Sequence, residues 1–337
     1  MTRLTARSTL GAAAAAPSSG TRSERRVGVI GAGRVGAVLA AALREAGHPV
    51  VAASGSSPAT RMRLQTLLPD LTPQPPLAVS RAADLLLLTV PDDALGALVE
   101  ELAAAGGFRP GQVVVHTSGR HGTGVLAPAA EQGALPVALH PAMTFTGTDL
   151  DLERLPGCVL GLTAGPRGRA VGERLAADLG ARVVHVPEEQ RSRYHAALAH
   201  GANHLSTLVV QAMDLLRATG TPDPAAVLRP LLEAALDNSL AYGDAALTGP
   251  VVRGDAHTVA AHLAALDDAE PGTRAAYRAM AAATAERAES DGRLNGARAA
   301  AIKRLLADDN AVASRRLPAG DNAAASRQVP AGDRTPA

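Results

Sequence analysis

A histidine and an asparagine eight residues apart, His195 and Asn203, lie within a helical pattern covering residues 188–218. At 3.6 residues per turn this spacing is a rotation of about 80°, which puts both on one side with Ala199 and Ser206. Imidazole titrates near neutral pH, so a histidine here can give a proton to a carbonyl oxygen that is receiving a hydride. The asparagine amide can donate to the same oxygen. Lysine is the usual alternative acid, and the single lysine, Lys303, stands near the end of the last helical stretch. The competing reading has His195 and Asn203 satisfying each other, or backbone groups, inside a domain interface.

Three polar clusters follow apolar runs upstream. Pro91, Asp92 and Asp93 come after residues 85–90, and Asp92 is expected to cap the helix that follows. His116, Thr117, Ser118 and Gly119 come after residues 113–115; Ser118 with Gly119 offers a hydroxyl and an N–H to a substrate carboxylate or carbonyl. His140 follows residues 137–139 and begins the run His-Pro-Ala-Met-Thr-Phe, either anchoring that turn or touching substrate. Further on, Arg253 lies in a breaker-rich loop, residues 248–255, where its planar fork suits a bidentate grip on a carboxylate or an ion pair with Asp255. Asp255 can also cap the next helix. His200 and His204 have the i, i+4 spacing of metal ligands, but no Glu follows His200 and no third ligand can be assigned, so no metal is expected.

Such residues need a frame, and the glycine pattern Gly31-Ala32-Gly33-Arg34-Val35-Gly36 supplies it. An apolar run leads into it and an Ala/Leu-rich stretch leaves it, the order strand, tight turn, helix. Gly31 permits the turn, Gly33 clears space for a diphosphate, and Gly36 lets the helix lie close on the strand. The helix start turns free N–H groups and the positive end of its dipole toward phosphate. Ala32, Arg34 and Val35, together with Val90 and Pro91 beyond the third strand, complete the expected cofactor contacts. The second strand ends without the acid that would accept from a ribose 2′-hydroxyl. Ser54, Ser56 and Arg61 stand there instead, a pattern that suits a 2′-phosphate and so NADP over NAD. The alternative is that Ser56 and Ser57 merely cap the next helix and Arg61 is a solvated charge.

Apolar strand-like runs alternate with helical patterns from residue 26 to about 139, and two more runs, 158–162 and 183–186, flank a helical segment at 167–179. This predicts an α/β domain, a Rossmann-like, doubly wound, mostly parallel sheet, over residues 25–187. Helical patterns alone follow, at 188–218, 225–240, 256–265, 272–289 and 296–306, predicting an all-helical C-terminal domain over 188–307. Residues 1–24 read as a disordered extension. Residues 308–337 read as a disordered tail, in which residues 313–321 recur in degenerate form at 325–333.

The 337 residues are 47% hydrophobic, enough for a core in each domain, and a formal net charge of +1 sets up no global field for nucleic acid or acidic membranes. Aromatic residues are 1%, too few for base-stacking platforms. No apolar run is long enough to span a bilayer. The single cysteine, Cys158, excludes an internal disulfide, fits a reducing cytoplasm and is expected to be a buried, inert thiol.

Taken together, residues 31–36, 85–93, 116–119, 140–145, 194–205 and 247–255 resemble a family of bacterial NADP oxidoreductases. In that family a Rossmann-like domain is joined to a C-terminal domain of unknown function, within the wider 6-phosphogluconate dehydrogenase and ketopantoate reductase group. The resemblance covers roughly residues 25–306. The glycine motif is widely shared, whereas His140-Pro-Ala-Met-Thr-Phe and Leu247-Thr-Gly-Pro-Val-Val-Arg-Gly-Asp are more specific. The resemblance implies a dimeric NADP-linked reductase; members of the group reduce ketopantoate, and pyrroline-carboxylate reductases are relatives of similar layout. In typical ketopantoate reductases a helix carries a catalytic lysine with asparagines one and two turns later. His195 stands at the lysine position, Ala199 at the first asparagine and Asn203 at the second, so two of the three differ.

The expectation is therefore a cytoplasmic, NADPH-dependent reductase of a small 2-oxo acid, ketopantoate foremost, that forms a homodimer through its helical domain. His195 would protonate the oxygen, Asn203 and Ser118 would orient it, His140 would contact the substrate, and Arg253 would hold the carboxylate. The alternatives are a non-catalytic NADP-binding sensor or partner protein, and an imine reductase.

Overall fold

The computed structural model describes residues 24–307, so the proposed N-terminal extension and the repeat-bearing tail lie outside the described residues. The described residues divide into two compact units, the first ending at Gly201 and the second beginning at Ala202. The sequence pattern put this division near residue 187. The helix that starts at Arg191 is tied into the first unit by its own side chains.

In the first unit the strands are β1 Val27–Ile30, β2 Val50–Ser54, β3 Leu85–Leu88, β4 Val113–His116, β5 Leu135–Pro141, β6 Val159–Thr163 and β7 Arg182–His185. They form one sheet in the order β2-β1-β3-β4-β5-β6-β7. Pairing is parallel throughout, except that β6 runs antiparallel to β5. The helices of this unit are α1 Arg34–Glu45, α2 Pro58–Leu67, α3 Pro76–Ala82, α4 Asp92–Ala104, α5 Ala127–Glu131, α6 Leu150–Arg154, α7 Pro166–Asp178 and α8 Arg191–Leu198. The α/β architecture expected from the sequence is the one observed.

Strands buried on both faces read as continuous apolar runs, and successive side chains serve opposite faces. Val27, Val29, Leu85, Leu87, Val113 and Val115 share one core with Val38 and Leu43 of α1 and with Val171 and Leu175 of α7. Ile30, Leu86, Leu88 and Val114 share the other with Val79 of α3 and with Leu95, Val99 and Leu102 of α4. Each core removes more than ten apolar side chains from water, at roughly 1.5–3 kcal/mol for each large one. The chain leaves β1 for β2 on one side and returns to β3 on the other. This opens a crevice at the carboxyl ends of β1 and β3, where open α/β sheets take ligands.

In the second unit are α9 Leu205–Ala218, α10 Pro224–Tyr242, α11 Pro250–Arg253, α12 Ala256–Ala265, α13 Pro271–Ser290 and α14 Gly296–Ala307. Its core joins Val251 and Val252 of α11, Val259 and Leu263 of α12, Ala281, Ala285 and Ala288 of α13, and Ala299, Ile302 and Leu306 of α14. By contrast α9 buries no residue fully and α10 buries only Pro224. Among the described residues no helix is long and apolar enough to cross a membrane.

Candidate functional site

Immediately after β1 the backbone bends at Gly31, with φ +90°, a conformation a side chain would strain. A Cβ there would also fall 2.9 Å from the Val90 nitrogen. The bend is pinned from β3's side, where Thr89 Oγ1 donates to the Gly31 carbonyl at 2.7 Å. At Gly36 a Cβ would overlap both that hydroxyl and that carbonyl, so α1 can lie this close only on glycine. Gly33 differs. A Cβ there would meet nothing nearer than 3.8 Å, which leaves open space above the bend. Gly33 also N-caps α1 without a side-chain acceptor, and the first turn holds no acid, so nothing of the helix's own competes with an incoming phosphate.

A cavity of about 580 Å³ opens at this place, lined by Ile30, Gly31, Ser54, Ser56, Arg61 and Val90 among others. Ser54 is buried at the end of β2. Ser57, not Ser56, caps α2, accepting from the Thr60 nitrogen at 3.1 Å. Arg61 is exposed and curls back to donate to the Ser56 carbonyl at 2.5 Å. Pro91 is the N-cap of α4. Asp92 is therefore the first helical residue and not the cap; it pairs with Arg120 at 3.5 Å. The loop after β5 reaches the same bend: Gly147, φ +83°, lies so near α1 that a Cβ would fall 3.1 Å from Arg34 Cα and 2.6 Å from Arg63 Nε. Buried Asp151 fixes this loop by accepting from the Gly147 nitrogen at 2.7 Å and from Thr146 Oγ1 at 3.0 Å. The donor set and the space fit a dinucleotide diphosphate.

Further along the sheet edge, the ends of β4 and β5 meet α8. His116 is fully buried. Its Nε2 lies 2.8 Å from the Gly122 carbonyl, and its Nδ1 accepts from the Ser118 nitrogen at 3.2 Å, a pairing that suits neutral imidazole. Burial pushes its pKa down to about 4. Ser118 thus spends its N–H on His116, and its Oγ accepts from the His121 nitrogen at 3.1 Å. Its hydroxyl proton remains to donate. His140 is half-buried, with Nδ1 3.3 Å from Tyr194 Oη and edge-on ring contacts, 5.7 Å between centroids, with both Tyr194 and His195. Burial, followed by the nearby Arg191 charge, brings its pKa to about 4, so it too stands neutral at pH 7. The His195 ring lies directly over Gly119, where any Cβ would overlap it. Tyr194 packs on Gly161 of β6 in the same way, and burial raises its phenol pKa.

Helix α8 reaches this place through two residues that the sequence reading did not single out. Arg191 is 1% exposed. Its Nε donates to the His121 carbonyl at 2.9 Å, one terminal nitrogen donates to Gly161 at 3.1 Å, and the other donates to Ser118. One turn earlier, Glu188 accepts from the Thr123 and Gly124 nitrogens at 2.8 and 3.0 Å. Against the burial that raises it, these N–H groups hold the Glu188 carboxyl below its usual range. The signal was present: Arg191, Tyr194 and His195 are spaced i, i+3 and i+4, which puts them on one helical face.

Asn203 lies beyond the unit boundary and is exposed. The 80° rotation assigned to His195 and Asn203 presumed unbroken α-helical pitch, but residues Ala199–His204 form a π-helical turn, so that premise is corrected. Such turns insert a residue into a helix and occur frequently at functional sites. In the second unit Asp255 caps α12, accepting from the Thr258 nitrogen at 3.0 Å and from its hydroxyl at 2.6 Å. Among the described residues Arg253 forms no ion pair, and its side chain is exposed. Cys158 is only half-buried, and burial raises its thiol pKa.

Residues 13–141 match the family model of a Rossmann-like domain, and residues 158–284 match that of a domain of unknown function, DUF2520. The chain pairs a Rossmann-like domain with a DUF2520 domain. No curated protein matches the sequence. Among solved structures, a Bacteroides fragilis protein provisionally named an NADP oxidoreductase is 24% identical, with a TM-score of 0.66 over 78% of this chain and 98% of that one. An imine reductase from Myxococcus stipitatus in complex with NADP+ is 19% identical, with a TM-score of 0.59 over 83% of this chain and 99% of its own. A reductive aminase from Aspergillus terreus, in complex with NADPH4, cyclohexanone and allyl amine, is 18% identical, with a TM-score of 0.60 over the same shares, 83% and 99%. At these identities the likeness is one of fold.

Proposed function

We propose that this Rossmann-like and DUF2520 chain is an NADPH-dependent oxidoreductase that reduces a small carbonyl compound. The observation that carries the reading is the cavity at the β1–β3 crevice. Glycine shapes its floor, and hydroxyls and a guanidinium, with no carboxylate among the named residues, line the end of β2. Bound NADPH supplies a hydride to the carbonyl carbon.

The chain's own groups handle the charge that develops on oxygen. His195 delivers the proton, and the Tyr194 phenol, backed by His140 Nδ1, donates a hydrogen bond beside it. The Ser118 hydroxyl orients the oxygen. The buried Arg191 guanidinium stands among two neutral histidines, and the nearby Asp92 carboxylate is paired with Arg120. This favours an anionic substrate, a 2-oxo acid, with ketopantoate the first compound to assay. A cyclic or secondary imine is the second substrate class, supported by the imine reductase and reductive aminase folds.

The active form is proposed to be a homodimer through the helical unit. Its support is α10, which leaves Val227, Leu231, Leu236 and Leu240 between 50% and 79% exposed. The test of the enzymatic reading is NADPH oxidation at 340 nm with a panel of 2-oxo acids and imines, beside a thermal-shift series with NADP and NAD. Stabilisation by NADP with turnover of one class supports it. Stabilisation with no turnover across the panel, and no loss in His195→Ala, favours a sensor instead.

A further inference from the structure

Arg191 is a charge in the protein interior with no acid in its hydrogen-bond set. A buried guanidinium is costly unless its donors are satisfied, and here three carbonyls from three positions do this: Ser118 and His121 in the loop after β4, and Gly161 in β6. The same side chain rises from the first residue of α8 and lies 5.7 Å from the Tyr194 ring centroid. Glu188 holds the adjoining turn to Thr123 and Gly124. The segment that bears Tyr194 and His195 is therefore fixed to the sheet edge at its start by two side chains, the Arg191 fork and the Glu188 carboxylate.

We infer that Arg191 is a positioning residue: its fork locks the Ser118–His121 loop and β6 to the start of α8, and so sets Tyr194 against His140 and His195 over Gly119. No other side chain can substitute. Lysine offers one ammonium and cannot reach three divergent carbonyls, and a neutral chain leaves those carbonyls unpaired. The groups facing His140 are Arg191, His195, Asp92, His116 and Tyr194, so a displaced fork alters both the position and the electrostatic surroundings of His140.

The test is histidine-labelled NMR of the whole chain, with His140 and His195 signals assigned from single His→Gln variants. Arg191→Ala is expected to move both signals and the His140 titration, and millimolar guanidinium chloride to return them where equal sodium chloride does not. NADP affinity should hold in the same variant, since the bend at Gly31–Gly36 does not touch Arg191. Unmoved signals in Arg191→Ala overturn the inference. So does failure of guanidinium to restore them in a variant that keeps its circular dichroism and NADP binding. Should Arg191→Ala not fold, Arg191→Lys is expected to show the same displacement, and unmoved signals there overturn it equally.

The kinetic arm rests on the reductase reading: kcat falls about 100-fold, as for a displaced reacting group, with KM for NADPH unchanged. Absence of turnover in the wild type would count against the reductase reading alone, because the NMR arm still decides the role of Arg191.

Discussion

The phenol of Tyr194 lies 3.3 Å from Nδ1 of His140, joining residues 54 positions apart at the carboxyl edge of the sheet. Because His140 stands neutral at pH 7, the pair can exchange a hydrogen bond without placing a charge in the site. Tyr194→Phe keeps the ring on Gly161 and deletes only the hydroxyl. It should lower kcat by about 10- to 100-fold with NADP affinity unchanged. Steady-state kinetics and a binding titration check this, and wild-type kcat in the variant would remove the pair from stabilising the oxygen.

His116 and His140 also make stability depend on pH. Each has a folded-state pKa of about 4 against 6.5 in the unfolded chain, so below pH 6.5 the unfolded state takes up protons first. Stability is then full above about pH 6.5 and falls as pH drops toward 4, by roughly 3 kcal/mol for each independent group. Urea midpoints at pH 7.5, 5.5 and 4.5 should decline in that order. A flat series would show that neither imidazole is held neutral.

Gly36→Ala tests the bend. The added methyl would overlap Thr89 Oγ1 and the Gly31 carbonyl, backbone that cannot move without opening the turn. A loss of roughly 1–3 kcal/mol is expected, together with loss of the NADP-induced rise in melting temperature. Gly33→Ala, with open space above it, should keep its stability and lose only the cofactor response. If Gly33→Ala still responds fully to NADP, the diphosphate does not sit there.

Cofactor choice should follow the end of β2. Arg61→Glu replaces a guanidinium at the cavity wall with a carboxylate. The ratio of NADP to NAD affinity is expected to fall by at least about tenfold, in proportion to a lost charge-assisted contact of 1.5–3 kcal/mol. Isothermal titration with both cofactors reads it, and an unchanged ratio would leave the choice to other residues.

The assembly prediction concerns α10. Leu231 and Leu240 are 64% and 79% exposed on a helix that buries only Pro224. Leu231→Asp with Leu240→Asp should convert a dimer to a monomer in sedimentation velocity and leave the Rossmann-like unit able to bind NADP. A wild-type monomer at micromolar concentration would refute the dimer outright.

Local pattern alone settled the sheet, its helices and the glycine bend. The apolar runs 27–30 and 85–88 could only be strands buried on both faces, and a turn with φ +90° between strand and helix needed the glycine that stands at 31. Asp255 was legible as a cap because capping is decided within three residues, whereas Ser57 stood only beside Ser56 in the alternative reading. The role of Arg191 was not legible, since its three acceptors lie 30 to 73 positions away and only the folded sheet brings them together. The rotation between His195 and Asn203 was not legible for a related reason: periodicity counts residues, and a π-turn that changes the count leaves no mark in composition. Chemistry at a sheet edge is built from the ends of distant strands, so its residue types can be read from the chain while their contacts wait on the tertiary fold.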